Sequence, residues 1–63
     1  MWIRFKRVRT RPVAEAWKEF LMTEGVAARV VRDVDASSKN AVSYGVYVPN
    51  TKRHIAEEAL RQL

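Results

Sequence analysis

Apolar residues change their spacing three times along this chain, at Pro12, Gly25 and Pro49. Recurrence at every second position belongs to a half-buried strand, and recurrence every three or four positions belongs to a helix with one buried stripe. Before Pro12 the period is two. From Pro12 to Gly25 it is helical, from Val26 to Val48 it is two again on either side of a polar run, and after Pro49 it is helical once more. The order β-α-β-β-α follows, and few small architectures accommodate it.

Each segment carries its own signals. In Trp2-Ile3-Arg4-Phe5-Lys6-Arg7-Val8 alternation places Ile3 and Phe5 on one side and Trp2, Arg4, Lys6 and Val8 on the other. Thr10-Arg11-Pro12 predicts a helix starting near Pro12, because the missing proline N–H costs nothing in a first turn. Its apolar stripe is Val13, Ala16, Trp17, Phe20 and Leu21, with Glu15, Lys18, Glu19 and Met22 outside and Gly25 as a left-handed cap. Val26, Ala28 and Val30 alternate with Ala27, Arg29 and Val31. The polar run Asp35 to Asn40 then predicts a hairpin loop, and Val42, Tyr44, Val46 and Val48 resume the pattern. Pro49 ends that strand, Asn50 or Thr51 is placed to cap a last helix, and Ile55, Ala56, Ala59, Leu60 and Leu63 form its stripe.

Both helices must bury their stripes, so they are expected on one face of a three-stranded antiparallel sheet in the order 2-3-1. This is an α+β, ferredoxin-like split arrangement filling residues 1–63 as a single domain. The central strand would turn Val42, Tyr44, Val46 and Val48 toward Val13, Trp17, Phe20, Ile55, Ala59 and Leu60. Its other side, Ala41, Ser43, Gly45 and Tyr47, would lie between Trp2, Arg4, Lys6 and Val8 on one flank and Ala27, Arg29, Val31 and Asp33 on the other. No further element is left to cover that side.

The residues that would carry the resemblance to a known family lie in two stretches. In PVAEAWKEFLMTEGVAARVV these are Ala16 and the helix-ending Glu24-Gly25-Val26, and in GVYVPNTKRHIAEEALRQL they are Val46, Val48, Pro49, Ala56, Ala59 and Leu60. Nearly the whole chain resembles the prokaryotic signal-transducing domain, a family of unknown function. The resemblance implies a ferredoxin-like sheet related to the PII signalling proteins and a regulatory role in a bacterial cell. This chain stops after the second helix, without the fourth edge strand or the long loop of the PII pattern, so nucleotide binding is not carried over.

Charge is concentrated at one end. The chain holds 12 basic and 7 acidic residues, and Arg4, Lys6, Arg7, Arg9 and Arg11 supply the entire excess of +5 before any acid occurs. Cysteine is absent, which excludes disulfides, thiolate zinc and thiol nucleophiles. No apolar run approaches the roughly 20 residues of a membrane span, and the N-terminus lacks the apolar core of a secretion signal, so no membrane partner and a cytoplasmic setting are expected.

Two readings of the uncovered face follow. In the first it is an assembly or protein-interaction surface formed by Trp2, Arg4, Lys6, Val8, Arg29, Val31, Ala41, Ser43, Gly45 and Tyr47, and the protein is a homo-oligomeric regulatory module. In the second, Arg4, Lys6, Arg7, Arg9, Arg11 and Arg29 hold phosphates while Tyr47 stacks a base, as in single-strand binders. The first is preferred on the apolar content of the face. Catalytic, cofactor and metal sites are not expected. His54 is the only histidine and belongs beside Glu58 on an outer helix face, Glu15 and Glu19 are best answered by Lys18, and Ser37 and Ser38 fall in the polar loop.

Overall fold

A computed structural model describes residues 1–35 and 41–63, Asp35 by its backbone only. It contains β1 (Trp2–Val8), α1 (Arg11–Thr23), β2 (Arg29–Asp35), β3 (Ala41–Pro49), a 3-10 turn (Asn50–Lys52) and α2 (Arg53–Arg61). The expected loop at 35–40, with Ser37 and Ser38, lies from residue 36 onward outside the described residues. The sheet is antiparallel in the order β1-β3-β2, as the alternation of periods predicts. Both helices pack on one side of it, where Ala14, Leu21, Val26, Ala28, Val46, Val48 and Ala56 form the buried core.

The end of α1 fixes how that helix sits. Gly25 takes φ 83°, a left-handed conformation that costs glycine nothing. Its N–H donates to the Met22 carbonyl at 3.0 Å, and the Val26 N–H donates to the Leu21 carbonyl at 2.9 Å. This pair of bonds satisfies two carbonyls of the last turn and brings Val26 against Leu21, both wholly buried. With Leu21 held there, the buried line of α1 runs through Ala14, two turns earlier, and Trp17 and Phe20 pack beside it. The expected stripe is thereby corrected. Val13 is 46% exposed and Ala16 exposed, while Lys18, expected outside, is half-buried.

The start of α2 also differs from expectation. A 3-10 turn separates it from Pro49, the last strand residue, and neither Asn50 nor Thr51 caps it; Lys52 precedes the helix with no side-chain cap bond. The Asn50 N–H instead donates to the Met1 carbonyl at 2.7 Å, which prolongs the β1–β3 pairing by one bond. Ala56 and Ala59 are buried, and Leu63, expected in the stripe, is 76% exposed.

The main departure lies in β1. Ile3 faces Val48 and Arg4 faces Tyr47, but the next registered pair is Lys6 with Val46, and Phe5 has no opposite number. Phe5 is the extra residue of a β-bulge, which puts two consecutive side chains on one side and reverses the alternation beyond it. Phe5 and Val8 pack against the core, and Lys6 stands opposite the buried Val46. Arg7 turns to the open side, opposite Gly45.

Candidate functional site

The face of the sheet turned away from the helices, uncovered among the described residues, is ordered in rows set by strand register. In one row Arg4, Tyr47 and Arg29 lie side by side across β1, β3 and β2, and in the next Arg7, Gly45 and Val31 do so. Ser43 and Asp33 form the start of a third row, and Ala41 stands opposite Asp35 at the end. Arg4, Arg7, Arg29, Val31, Asp33 and Ala41 are exposed, Trp2 and Tyr47 half-buried, and Ser43 and Gly45 buried.

Side chains on this face are held by one another. The Arg29 guanidinium reaches across the central strand to lie over Trp2, 4.5 Å from the ring centroid. Such a cation–π contact is worth about 0.5–1 kcal/mol where water has access. Tyr47 lies back over Gly45, so close that a Cβ there would come within 2.7 Å of its Cε1 and 3.4 Å of Arg4 Cδ. Gly45 is thus what allows the ring and the Arg4 stem to lie flat on the sheet. Arg7 Nε donates to Ser43 Oγ at 3.2 Å. Three arginines and two aromatics therefore share one face with a single acid among the described side chains, Asp33.

Not every expected member is there. The bulge carries Lys6 and Val8 to the helix side, where Lys6 Nζ lies 4.9 Å from the Trp17 ring centroid. Both leave the expected interaction face, and Lys6 leaves the expected set of phosphate contacts on it. Arg7, expected only as a phosphate contact, joins the face. Arg9 follows β1 and is exposed, lining with Arg7, Val8, Ala41, Val42 and Ser43 a shallow cleft of about 550 Å³ at the sheet's end. Arg11 is drawn onto α1 by Glu15, 3.7 Å away.

The other singled-out groups lie apart from the face. Glu15 is met by Arg11 rather than Lys18, Glu57 by Arg53 at 2.9 Å, and Glu58 by Arg61 at 3.5 Å. His54 is exposed in the first turn of α2. Among the described residues no three His, Asp or Glu side chains gather closely enough to hold a metal ion, and no helix is long and apolar enough to cross a membrane. A feature not foreseen is an apolar groove of about 430 Å³ on α1, lined by Pro12, Val13, Ala16, Trp17, Phe20 and Leu63. Its signal was in the sequence, since the α1 stripe holds more apolar residues than one helix can turn toward one sheet.

Compared with models of protein families, with curated proteins and with solved structures, the chain finds no match. What it does must be argued from the face itself.

Proposed function

We propose that this chain is a small non-catalytic binding module that holds a polyanion, single-stranded nucleic acid above all, on the open face of its sheet. The observation that carries this reading is the row Arg4-Tyr47-Arg29, an aromatic flanked by cations, followed by Arg7 in the next row. Guanidinium groups bind phosphate oxygens bidentately, and a half-buried aromatic accepts a base on its ring. Moving Val8 off the face and covering Trp2 with Arg29 reduces the apolar surface that favoured assembly through this side.

A second reading keeps the face as a protein-interaction surface of a regulatory module, in keeping with the resemblance to signal-transducing domains. Val31, 46% exposed on the β2 flank of the face, is the observation in its favour. The two readings differ in their response to salt. Three phosphate contacts on a single strand give a log–log salt slope of about −2, which is roughly a twentyfold loss of affinity between 50 and 200 mM salt. Fluorescence anisotropy of a labelled oligonucleotide tests this. Binding with that slope, weakened by Arg4→Glu and Arg7→Glu, supports the proposal; binding indifferent to both substitutions, or no binding at 50 mM salt, removes it.

A further inference from the structure

The two edges of the sheet are unlike. β1 is bulged at Phe5 and carries Arg4, Lys6 and Arg7, so two such edges brought together would repel. β2 has neither defence. All seven residues from Arg29 to Asp35 pair with β3 in unbroken register, and the strand contains no proline, glycine or lysine. Its two arginines and two aspartates cancel, which makes it a neutral edge on a chain of net charge +5. Val31 and Val34 remain 46% and 44% exposed along it. Among the described residues nothing pairs with its free side.

The geometry points to a second copy of this chain as the occupant of that edge, paired β2 to β2 antiparallel about a two-fold axis through Val31. Directly opposite residues of an antiparallel pair share a face, so the axis must pass through a residue and not between two. Each choice can be read from the sequence of β2. Centred on Arg32, the pairing answers Arg29 with Asp35 but sets Arg32 against Arg32 and Val31 against Asp33; centred on Asp33, it sets two carboxylates together. Centred on Val30, it leaves every charge unanswered by another. Only the centre at Val31 sets Arg29 against the second copy's Asp33 twice over, with the exposed Val31 side chains meeting between the two ion pairs.

The result is a continuous six-stranded sheet, β1-β3-β2-β2-β3-β1. A two-fold axis perpendicular to it keeps all the helices on one side and joins the two open faces into one surface that presents Arg4 and Arg7 of both copies, Arg29 being held by Asp33. In the single chain Arg29 lies over Trp2, so this pairing also draws the cation away from the ring.

Solution mass measured without nucleic acid, across protein concentrations from micromolar to millimolar, tests the interface independently of the binding proposal. The native chain is expected to reach twice its monomer mass. Arg29→Asp and Asp33→Arg are each expected to be monomeric, and an equal mixture of the two to regain the dimer, since both contacts then join an acid to a base. Val31→Lys, which opposes two ammonium groups, gives a third monomeric variant should either charge reversal fail to fold by circular dichroism. A native chain that stays monomeric throughout overturns the inference, as does a folded set of variants that keep the native dimer mass, or folded single reversals whose mixture stays monomeric.

Discussion

Lys6 lies against Trp17, its ammonium 4.9 Å from the ring centroid, on the helix side of the sheet. The bulge at Phe5 puts it there, and its alkyl stem covers apolar surface opposite Val46 while the charge rests on the indole. Lys6→Ala removes both and is expected to lower stability by about 0.5–1 kcal/mol, the range of a partly exposed cation–π contact. Urea unfolding followed by tryptophan fluorescence measures this. A variant with an unchanged midpoint would mean that the contact contributes nothing.

The Leu21–Val26 contact closing α1 carries a larger share. A chain of 63 residues has about 3–9 kcal/mol of total stability at the usual allowance per residue. Leu21→Ala at a fully buried site costs about 2–5 kcal/mol, a large part of that total. Gly25→Ala isolates the backbone term, because a Cβ at that position meets nothing within 4 Å and only the positive φ is penalised. Its expected cost is about 1–2 kcal/mol. Thermal unfolding of the two variants should rank them in that order.

Strand order, helix placement and the inward set of β3 were legible because each rests on a period that survives folding intact. The bulge was not, because Ile3, Arg4, Phe5 and Lys6 fit a regular alternation as written; Arg7 and Val8 fall on the wrong sides of it, but only the pairing with β3 shows Phe5 to be the extra residue. With Phe5 set aside, Ile3, Arg4, Lys6, Arg7 and Val8 alternate apolar or core-side with outward arginine without a fault. The rotation of α1 escaped notice for a related reason. Its stripe includes more apolar residues than the sheet can cover, and the contact selecting among them, Leu21 with Val26, lies across a turn.

Gly45 controls the shape of the open face more than the stability of the fold. An added methyl would meet the Tyr47 ring at 2.7 Å, and the ring, at the end of a rotatable side chain, must lift from the sheet. Gly45→Ala is therefore expected to stay folded by circular dichroism while Tyr47 becomes more accessible to quenchers and to iodination. Unaltered Tyr47 accessibility in a folded variant would show that the ring is not held by that glycine.

Arg7 and Lys6 are neighbours in sequence with opposite exposures to any ligand on the open face. Arg7 stands opposite Gly45 with its Nε on Ser43, whereas Lys6 stands opposite Val46 with its ammonium on Trp17. If the face binds a single strand through its arginines, Arg7→Ala removes one phosphate contact and shallows the log–log salt slope by about 0.7. Lys6→Ala removes the same formal charge one residue away and is expected to leave that slope nearly as it was, its effect falling on stability. Anisotropy titrations of both variants at several salt concentrations compare them directly. Equal shallowing by the two would mean that the ligand senses only the net charge of the first strand, and that the division of its cations between the two sides of the sheet has no part in binding.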